Sequence, residues 1–269
     1  MATVSKPAKP SGPKGKRVKG RPISTLITSR LMARRGPNAD GVPALNPGDH
    51  LDRKTFHERY EAMPEDFRAE LIGGLVIVPS PASLRHGKHH GVLTGCLFTY
   101  ASATSGVSLY VDTTVFLGPD SEPQPDGMLV IDPELGGQTW VEKHGDKEYL
   151  AGPPELAAEV AYSSEAYDLH SKYRDYEKAG VREYLVVVLG QPQRAAWFVR
   201  RGTRLKPLAP GPAGILRSEA FPGLWLDPAA LLRADGKALL KTLQQGLDSP
   251  EHVAFVQNLA QRKRRSRKR

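Results

Sequence analysis

The segment from residue 153 to residue 189 constrains the fold most, because it places two apolar runs on either side of one amphipathic stretch. The first run, PPELAAEVAY at 153–162, and the last, VREYLVVVL at 181–189, are short and apolar, which is typical of buried strands. Between them, residues 163–180 begin with an N-cap serine pair and end on a glycine, as helices do. The pattern predicts a strand–helix–strand unit with parallel strands.

The rest of the chain predicts one α/β domain with a mixed sheet. Apolar spacing and Gly or Pro stops place two helices and several strands before the strand–helix–strand unit. No internal repeat or domain-splitting linker occurs inside residues 50–248. The predicted elements are helices at 51–66, 85–106 and 228–246, strands at 67–81, 106–119, 127–131 and 194–202, and a polar connection at 133–151.

Basic residues concentrate at the two ends of the chain. Residues 1–39 hold ten Lys or Arg, residues 262–269 hold seven, and neither stretch has an acidic residue. The middle of the chain keeps 21 basic and 29 acidic residues, a net charge of −8. Like-charged blocks repel themselves and stay disordered. We therefore predict a basic disordered tail at 1–46, a domain at 47–248, and a helix end with a basic tail at 249–269.

The tails suit a polyanionic partner, because Lys and Arg bind phosphate backbones without regard to sequence. The alternative is that they are solvated tails that only keep the protein soluble. No run of about 18 apolar residues occurs, so we predict no membrane span. Cys96 is the one cysteine, which excludes an intrachain disulfide and favours a reducing, cytoplasmic location with Cys96 in the core.

Three acidic residues stand at the edge of, or inside, apolar strands: Glu70, Asp126 and Glu159. Glu159 is the most informative, because a carboxylate inside a buried strand must be paired, hydrogen-bonded or bound to a metal. Asp126 follows a proline, and alone it fits an ordinary turn. Carboxylates on adjacent strands repel one another unless a divalent cation lies between them, and hard oxygen ligands suit Mg²⁺ or Mn²⁺.

A basic residue is also available near Glu159. Asp168 and Lys172 lie four residues apart on the predicted helix, where they share a face. They either form an exposed ion pair, or Lys172 extends over the end of the strand toward Glu159. A lysine beside a metal-binding carboxylate pair completes the minimal set for metal-assisted phosphodiester hydrolysis.

An ordered series of motifs resembles the PD-(D/E)XK nuclease superfamily and, more narrowly, the bacterial Uma-type family of restriction-endonuclease-like proteins. The series covers roughly residues 52–235 and keeps the order of that family. Its members are ELIGG at Glu70, PSPASLRHGKHHG around His86, Pro125-Asp126, the strand from Pro154 to Val160, the helix motif of Asp168, Lys172 and Tyr176, and GVREY from Gly180 to Tyr184.

The resemblance implies both a fold and an activity. The fold is a restriction-endonuclease-like mixed central sheet flanked by helices, and the activity is an endonuclease that hydrolyses DNA with Mg²⁺ or Mn²⁺. A homodimer is expected if both strands are cut, because a two-fold axis places one site on each strand. Two alternatives stay open: RNA as the substrate, and a catalytically inactive nucleic-acid-binding protein of the same fold.

The resemblance also implies roles for particular residues. The implied metal ligands are Asp126, Glu159 and Glu70, and Lys172 joins them in the catalytic set. Asp168 and His86 are implied to support the ligands or to contact a phosphate.

One departure concerns the position of the lysine. The superfamily pattern places it two residues after the second acid, where this chain has Ala161, and Lys172 on the helix takes its place in the Uma-type pattern. A metal site built from His86, His89 and His90 is disfavoured, because no further residues with zinc-ligand spacing follow.

Overall fold

The computed structural model describes residues 41–162 and 167–266. The predicted tail up to residue 40, the helix start at 163–166 and residues 267–269 lie outside these ranges. Leu45 is buried in one cluster with Phe56 and Leu71, so the packed region begins before the predicted boundary at residue 47. Ala44 and Leu45 form a short apolar pair, and burying both of them stabilises this part of the fold.

Helices form in the segments that the sequence predicted to be helical, although their bounds differ. The six α-helices of the described residues are α1 (Arg53–Glu61), α2 (Leu84–Ala103), α3 (Tyr173–Ala179), α4 (Pro228–Leu232), α5 (Gly236–Leu247) and α6 (Pro250–Ser266). A π-helical turn, Tyr167–Lys172, leads directly into α3. Ser83 caps α2 by accepting a hydrogen bond from the His86 N–H, and Gly180 ends α3 in a left-handed conformation.

Thirteen short strands form the sheets of the described residues. They are β1 (Glu70–Ile72), β2 (Leu75–Ile77), β3 (Val107–Tyr110), β4 (Val115–Phe116), β5 (Gly127–Ile131), β6 (Trp140–His144), β7 (Lys147–Ala151), β8 (Leu156–Ala161), β9 (Glu183–Val188), β10 (Arg194–Arg201), β11 (Arg204–Pro207), β12 (Leu216–Arg217) and β13 (Trp225–Leu226).

The central sheet has six strands in the order β11-β10-β9-β8-β5-β3. Strands β8 and β9 are parallel, as predicted, and the other pairs of this sheet are antiparallel, so the mixed α/β fold class is confirmed. In the β5–β8 pair, Gly127 lies opposite Ala158. This register brings Asp126, immediately before β5, beside Glu159 and Val160 in β8.

Helices cover both faces of the central sheet. Alternate residues of β5, β8 and β9 pack against two different clusters: Leu129 and Val160 contribute to one with α2, and Met128 and Ala161 to the other with Tyr176 of α3. Cys96 is buried on α2, as predicted, and burial raises the pKa of its thiol to about 12. A sheet buried on both faces explains why β8 and β9 are apolar throughout.

Two predicted segments differ from the structure. In both, burial of side chains in a core is not what determines where the strands begin and end. Residues 133–151, predicted as a polar connection, contain the antiparallel hairpin β6–β7, whose strands are largely exposed and charged. Residues 106–119, predicted as one strand, contain β3 and β4 in different sheets. The break contains Asp112, whose φ of +47° is left-handed and interrupts an extended chain.

The C-terminal region also differs from the prediction. The helix predicted at 228–246 is divided into α4 and α5, and α6 then continues to Ser266 through part of the run predicted to be a disordered tail. Leu259 on α6 is buried, and the Arg262 guanidinium donates a hydrogen bond to the Leu135 carbonyl at 2.9 Å. These contacts hold basic residues in the last turn, where the helix dipole favours positive charge.

Glu183, the acidic residue of the GVREY motif, has a structural role that a substitution can test. Its buried carboxylate accepts hydrogen bonds from the Trp197 indole, the Ser218 hydroxyl, and the backbone N–H groups of Glu219 and Ala220. We expect Glu183→Ala to lower the free energy of unfolding by about 3 kcal/mol, since it leaves buried donors unpaired.

Urea denaturation measures this loss of stability. The matched control is Glu148→Ala, which removes an exposed carboxylate and should change the free energy of unfolding by less than about 1 kcal/mol. Equal stability of the Glu183→Ala protein and the wild type would show that this carboxylate does not hold the β9–β10 region to the loop after β12.

Candidate active site

Asp126 and Glu159 meet at the junction of β5 and β8. The Val160 backbone N–H donates a hydrogen bond to Asp126 Oδ2 at 2.6 Å, which fixes the Asp126 carboxylate next to β8. Glu159 points out of a strand that is otherwise apolar, and only 4% of its surface is exposed. The two acids predicted from separate motifs therefore lie together because strand register places them there.

Lys172 reaches over the end of β8, as one of the two sequence interpretations predicted. Its Nζ donates a hydrogen bond to Glu159 Oε1 at 2.9 Å, lies 3.0 Å from Glu70 Oε1, and lies 3.7 Å from Asp168 Oδ1. Lys172 and Asp168 are both buried. The alternative of an exposed surface ion pair between Asp168 and Lys172 is therefore wrong.

Glu70 contributes from the first residue of β1. Its Oε1 accepts a hydrogen bond from the Gln124 backbone N–H at 2.6 Å and also contacts the Lys172 ammonium. The structure therefore directs this carboxylate oxygen toward the lysine and toward the loop that carries Asp126. It brings Glu70 into the same site as the other two acids.

The site carries more negative than positive charge. Three carboxylates, from Glu70, Glu159 and Asp168, lie within 4 Å of the one ammonium, and Asp126 is close enough to Glu159 to influence its ionisation. Burial raises the pKa of Glu159 well above its usual value; the Lys172 charge opposes this shift, and the other three carboxylates reinforce it. Burial alone would lower the pKa of Lys172, but the surrounding carboxylates outweigh burial and hold that pKa well above its usual value. Lys172 is therefore protonated at neutral pH.

His86, in the first turn of α2, contacts Asp126. Its Nε2 is 3.5 Å from Asp126 Oδ2, and this contact raises the pKa of His86 although burial opposes it. Burial works against ionisation of Asp126, but the His86 contact and the Val160 N–H outweigh it and lower the pKa of Asp126. The contact therefore favours the ionised form of Asp126 and the protonated form of His86.

The donor set suits a hard divalent cation. Asp126 and Glu159 offer carboxylate oxygens, which Mg²⁺ and Mn²⁺ prefer. Among the residues that the structure describes, no hydrogen bond reaches Asp126 Oδ1 or Glu159 Oε2, so each acid keeps one oxygen available. Among the described residues, the one set of three or more possible ligands whose atoms all lie within 4.8 Å of one another is His90, Asp112 and Asp126, so the predicted set of Asp126, Glu159 and Glu70 is not gathered that closely.

Three residues of the site had no role assigned from the sequence. The Tyr176 hydroxyl donates a hydrogen bond to Glu159 Oε1 at 2.9 Å, and its position four residues after Lys172 is a signal that could have identified it. His90 lies four residues after His86 and contacts the Asp126 carbonyl at 3.0 Å. Asp112 gave no signal, because it lies in the unpredicted break between β3 and β4.

His89 does not join the site. Its ring nitrogens lie 2.9 Å from the Arg85 carbonyl and 3.1 Å from the Leu232 carbonyl, so it packs α2 against α4. The three histidines, which the sequence disfavoured as a joint metal site, are divided: His86 and His90 lie at the site, and His89 makes a packing contact.

One cavity connects the candidate residues to solvent. Its volume is about 680 Å³, and it is open enough for an external ligand to reach the carboxylates. The polar residues that line it include Glu70, His86, Asp112, Asp126, Glu159, Asp168 and Lys172. All six residues singled out from the sequence therefore face the same cavity.

Comparisons with known proteins identify the family of the chain. A sequence model of the Uma2 family, described as "Putative restriction endonuclease", matches residues 55–229, more than half of the chain and including every residue of the site. No curated protein matches significantly. The chain is similar to the crystal structure of "a putative nuclease belonging to DUF820" from Anabaena variabilis, with 13% identity and a TM-score of 0.46 over 71% of this chain and 97% of that chain. The family match confirms the resemblance predicted from the ordered motifs.

None of the described helices combines the length and the apolar character needed to cross a membrane.

Proposed function

Because this chain belongs to the Uma2 family, whose description is "Putative restriction endonuclease", we propose that it is a divalent-metal-dependent endonuclease that hydrolyses phosphodiester bonds of DNA. One observation carries the proposal: a buried lysine contacts Glu159 and Glu70 at the point where Asp126 and Glu159 meet, inside an open cavity. A fold needs no such surplus of buried carboxylates, since each costs hydration that a single lysine does not restore.

Asp126 and Glu159 would hold Mg²⁺ or Mn²⁺, because they lie together and each keeps an oxygen available. When bound, such a cation supplies Lewis-acid polarisation of the scissile phosphate and activation of water. The His86 contact and the Val160 N–H keep Asp126 ionised and oriented. The Tyr176 hydroxyl, which is buried in the core, orients Glu159 by donating a hydrogen bond to its Oε1.

Lys172 acts as the positive group of the protein in this mechanism. Glu70 and Asp168 hold its ammonium at the floor of the cavity and keep it protonated. From there the ammonium can donate hydrogen bonds to a phosphate oxygen and stabilise the negative charge that develops during hydrolysis. Lys172 thus takes the role that the superfamily pattern gives to a lysine at the position of Ala161.

The positive charge at both ends of the chain supports DNA binding as part of the proposal. The basic residues at 1–39 and 262–269 suit the phosphate backbone, whereas the acidic middle of the chain repels DNA unless a cation offsets its charge at the site. We propose that the tails supply sequence-independent affinity and that a homodimer forms when both strands are cut.

A cleavage assay with the full-length protein tests the function. Supercoiled plasmid is incubated with Mg²⁺ or Mn²⁺ and, in parallel, with a chelator; linear DNA, single-stranded DNA and RNA are the other substrates. We expect nicked and linear plasmid only when the cation is present. Salt-dependent binding of every DNA without any cleavage would instead support the inactive binding protein of the same fold.

A further inference from the structure

One wall of the cavity is apolar and takes no part in the proposed hydrolysis. It extends from the end of β2 through the loop that leads to α2, and consists of Ile77, Val78, Pro79, Pro81 and Ala82. Ile77 and Val78 are half-buried, and the others are exposed. A phosphate or a hydrated cation gains nothing from such a surface, so the wall fits an apolar part of a ligand.

Tyr162 lines the same cavity from the end of β8, three residues after Glu159, and 46% of its surface is exposed. The Arg85 guanidinium carbon lies 5.8 Å from the centre of the Tyr162 ring, within the range of a cation–π contact. Arg68, which is also exposed, lines the cavity as well. The cavity therefore combines an aromatic face and an apolar wall with nearby positive charge.

We propose that Tyr162 and this apolar wall hold one nucleobase next to the scissile phosphate, unstacked from its neighbours. The preferred substrate is then DNA that is unpaired at the cleavage position. A nucleobase has a flat apolar face joined through its sugar to a phosphate, which matches an apolar wall beside a phosphate-cleaving centre, and Arg68 and Arg85 complement the flanking phosphates. The inference rests on the proposed nuclease function, because it places the base relative to that centre.

The size of the cavity agrees with this occupant. Its volume of about 680 Å³ is within the range of roughly 300–1,000 Å³ that encloses small organic ligands, whereas the grooved surface of an intact duplex cannot enter it. A base inside a duplex is paired and stacked, and reaches such a pocket only after it leaves the helix at an energetic cost. An unpaired base enters without that cost.

Single-turnover cleavage by the full-length protein tests the substrate class. One labelled sequence is prepared as a single strand, as a perfect duplex, and as a duplex with a short mismatched bubble, and each is incubated with Mg²⁺ or Mn²⁺. We expect the unpaired forms to be cleaved at least about 10-fold faster than the perfect duplex, with cuts inside the bubble. Equal rates on the perfect duplex and on the bubble would overturn the proposal.

Two substitutions separate the ring of Tyr162 from its hydroxyl. Tyr162→Ala should lower cleavage of the unpaired forms by roughly 5- to 150-fold, the range found when a stacking aromatic is truncated. Tyr162→Phe keeps the ring and should therefore lose much less of the cleavage rate than Tyr162→Ala does. Since Tyr162 is half exposed, neither change threatens folding. A Tyr162→Ala protein that cleaves the bubble as fast as the wild type would contradict the assigned role.

A binding measurement distinguishes failure of the pocket from failure of the nuclease function. Fluorescence anisotropy of the labelled single strand and duplex, without a divalent cation, compares the wild type with Tyr162→Ala, which carries the same basic tails. The wild type should prefer the single strand more strongly than the variant does. If no substrate is cleaved but this difference is found, the nuclease proposal fails and the base pocket stands; if the preferences are equal, the base pocket fails.

Discussion

Asp126→Asn is expected to reduce metal-dependent cleavage by at least about 1,000-fold, which corresponds to about 4 kcal/mol of lost transition-state stabilisation. Asparagine keeps an oxygen that can accept the Val160 N–H but lacks the negative charge that holds a divalent cation. It also removes the negative charge that raises the pKa of His86. Initial rates on supercoiled plasmid at saturating Mg²⁺ measure the effect.

The matched control for this variant is Asp146→Asn. It makes the same chemical change at an exposed residue of the β6–β7 turn, away from the cavity lining, and should leave the rate unchanged. If Asp126→Asn and Asp146→Asn cleave at equal rates, Asp126 is not a metal ligand, and its interaction with Val160 is only structural.

Lys172→Met is expected to lower the free energy of unfolding by about 3–5 kcal/mol at neutral pH, as well as to remove cleavage. Methionine matches the length of the lysine stem but leaves Glu159 and Glu70 facing each other without their shared counter-ion. Urea denaturation measures the loss. Lys178→Met is the control, because Lys178 is 64% exposed and its ion pair with Asp120 should contribute less than about 1 kcal/mol.

The stability deficit of Lys172→Met should also depend on pH. Loss of the ammonium removes the charge that opposes the raised pKa of Glu159, so this pKa rises further in the folded state. A carboxyl group whose pKa is higher in the folded than in the unfolded state binds more protons when folded, so the variant gains stability as the pH falls. The deficit should therefore be larger near about pH 8 than near about pH 5. A deficit that grows on acidification would contradict the assigned cause.

The part of the fold that sequence predicted well is the part in which burial dominates. Strands β8 and β9 are buried on both faces, so their continuous apolar pattern identified them, and Glu159 was conspicuous as the one charge inside β8. The same packing placed the following helix over β8, which is why the reach of Lys172 could be anticipated. Tyr176 of the helix motif is fully buried, and its hydroxyl also donates a hydrogen bond to Glu159.

The missed features depend on local geometry or on long-range contacts. The hairpin β6–β7 has charged, exposed residues and therefore lacks a burial signal. Asp112 reaches the site from a left-handed turn, and the sequence around it gives no indication that the strand ends there. The helical continuation of α6 through Arg262 depends on a carbonyl 127 residues away in sequence, which no local charge pattern reveals.

The most direct test of the account measures metal binding and cleavage on the same protein. Mn²⁺ is titrated into the full-length chain, bound Mn²⁺ is followed by the loss of the free-ion paramagnetic resonance signal, and plasmid cleavage is measured at each concentration. We expect the binding curve and the cleavage curve to coincide, and Asp126→Asn to lose both. Cleavage that persists in a chelator, or an Asp126→Asn protein that binds Mn²⁺ and cleaves as the wild type does, would contradict the claim that Asp126 and Glu159 form the metal centre.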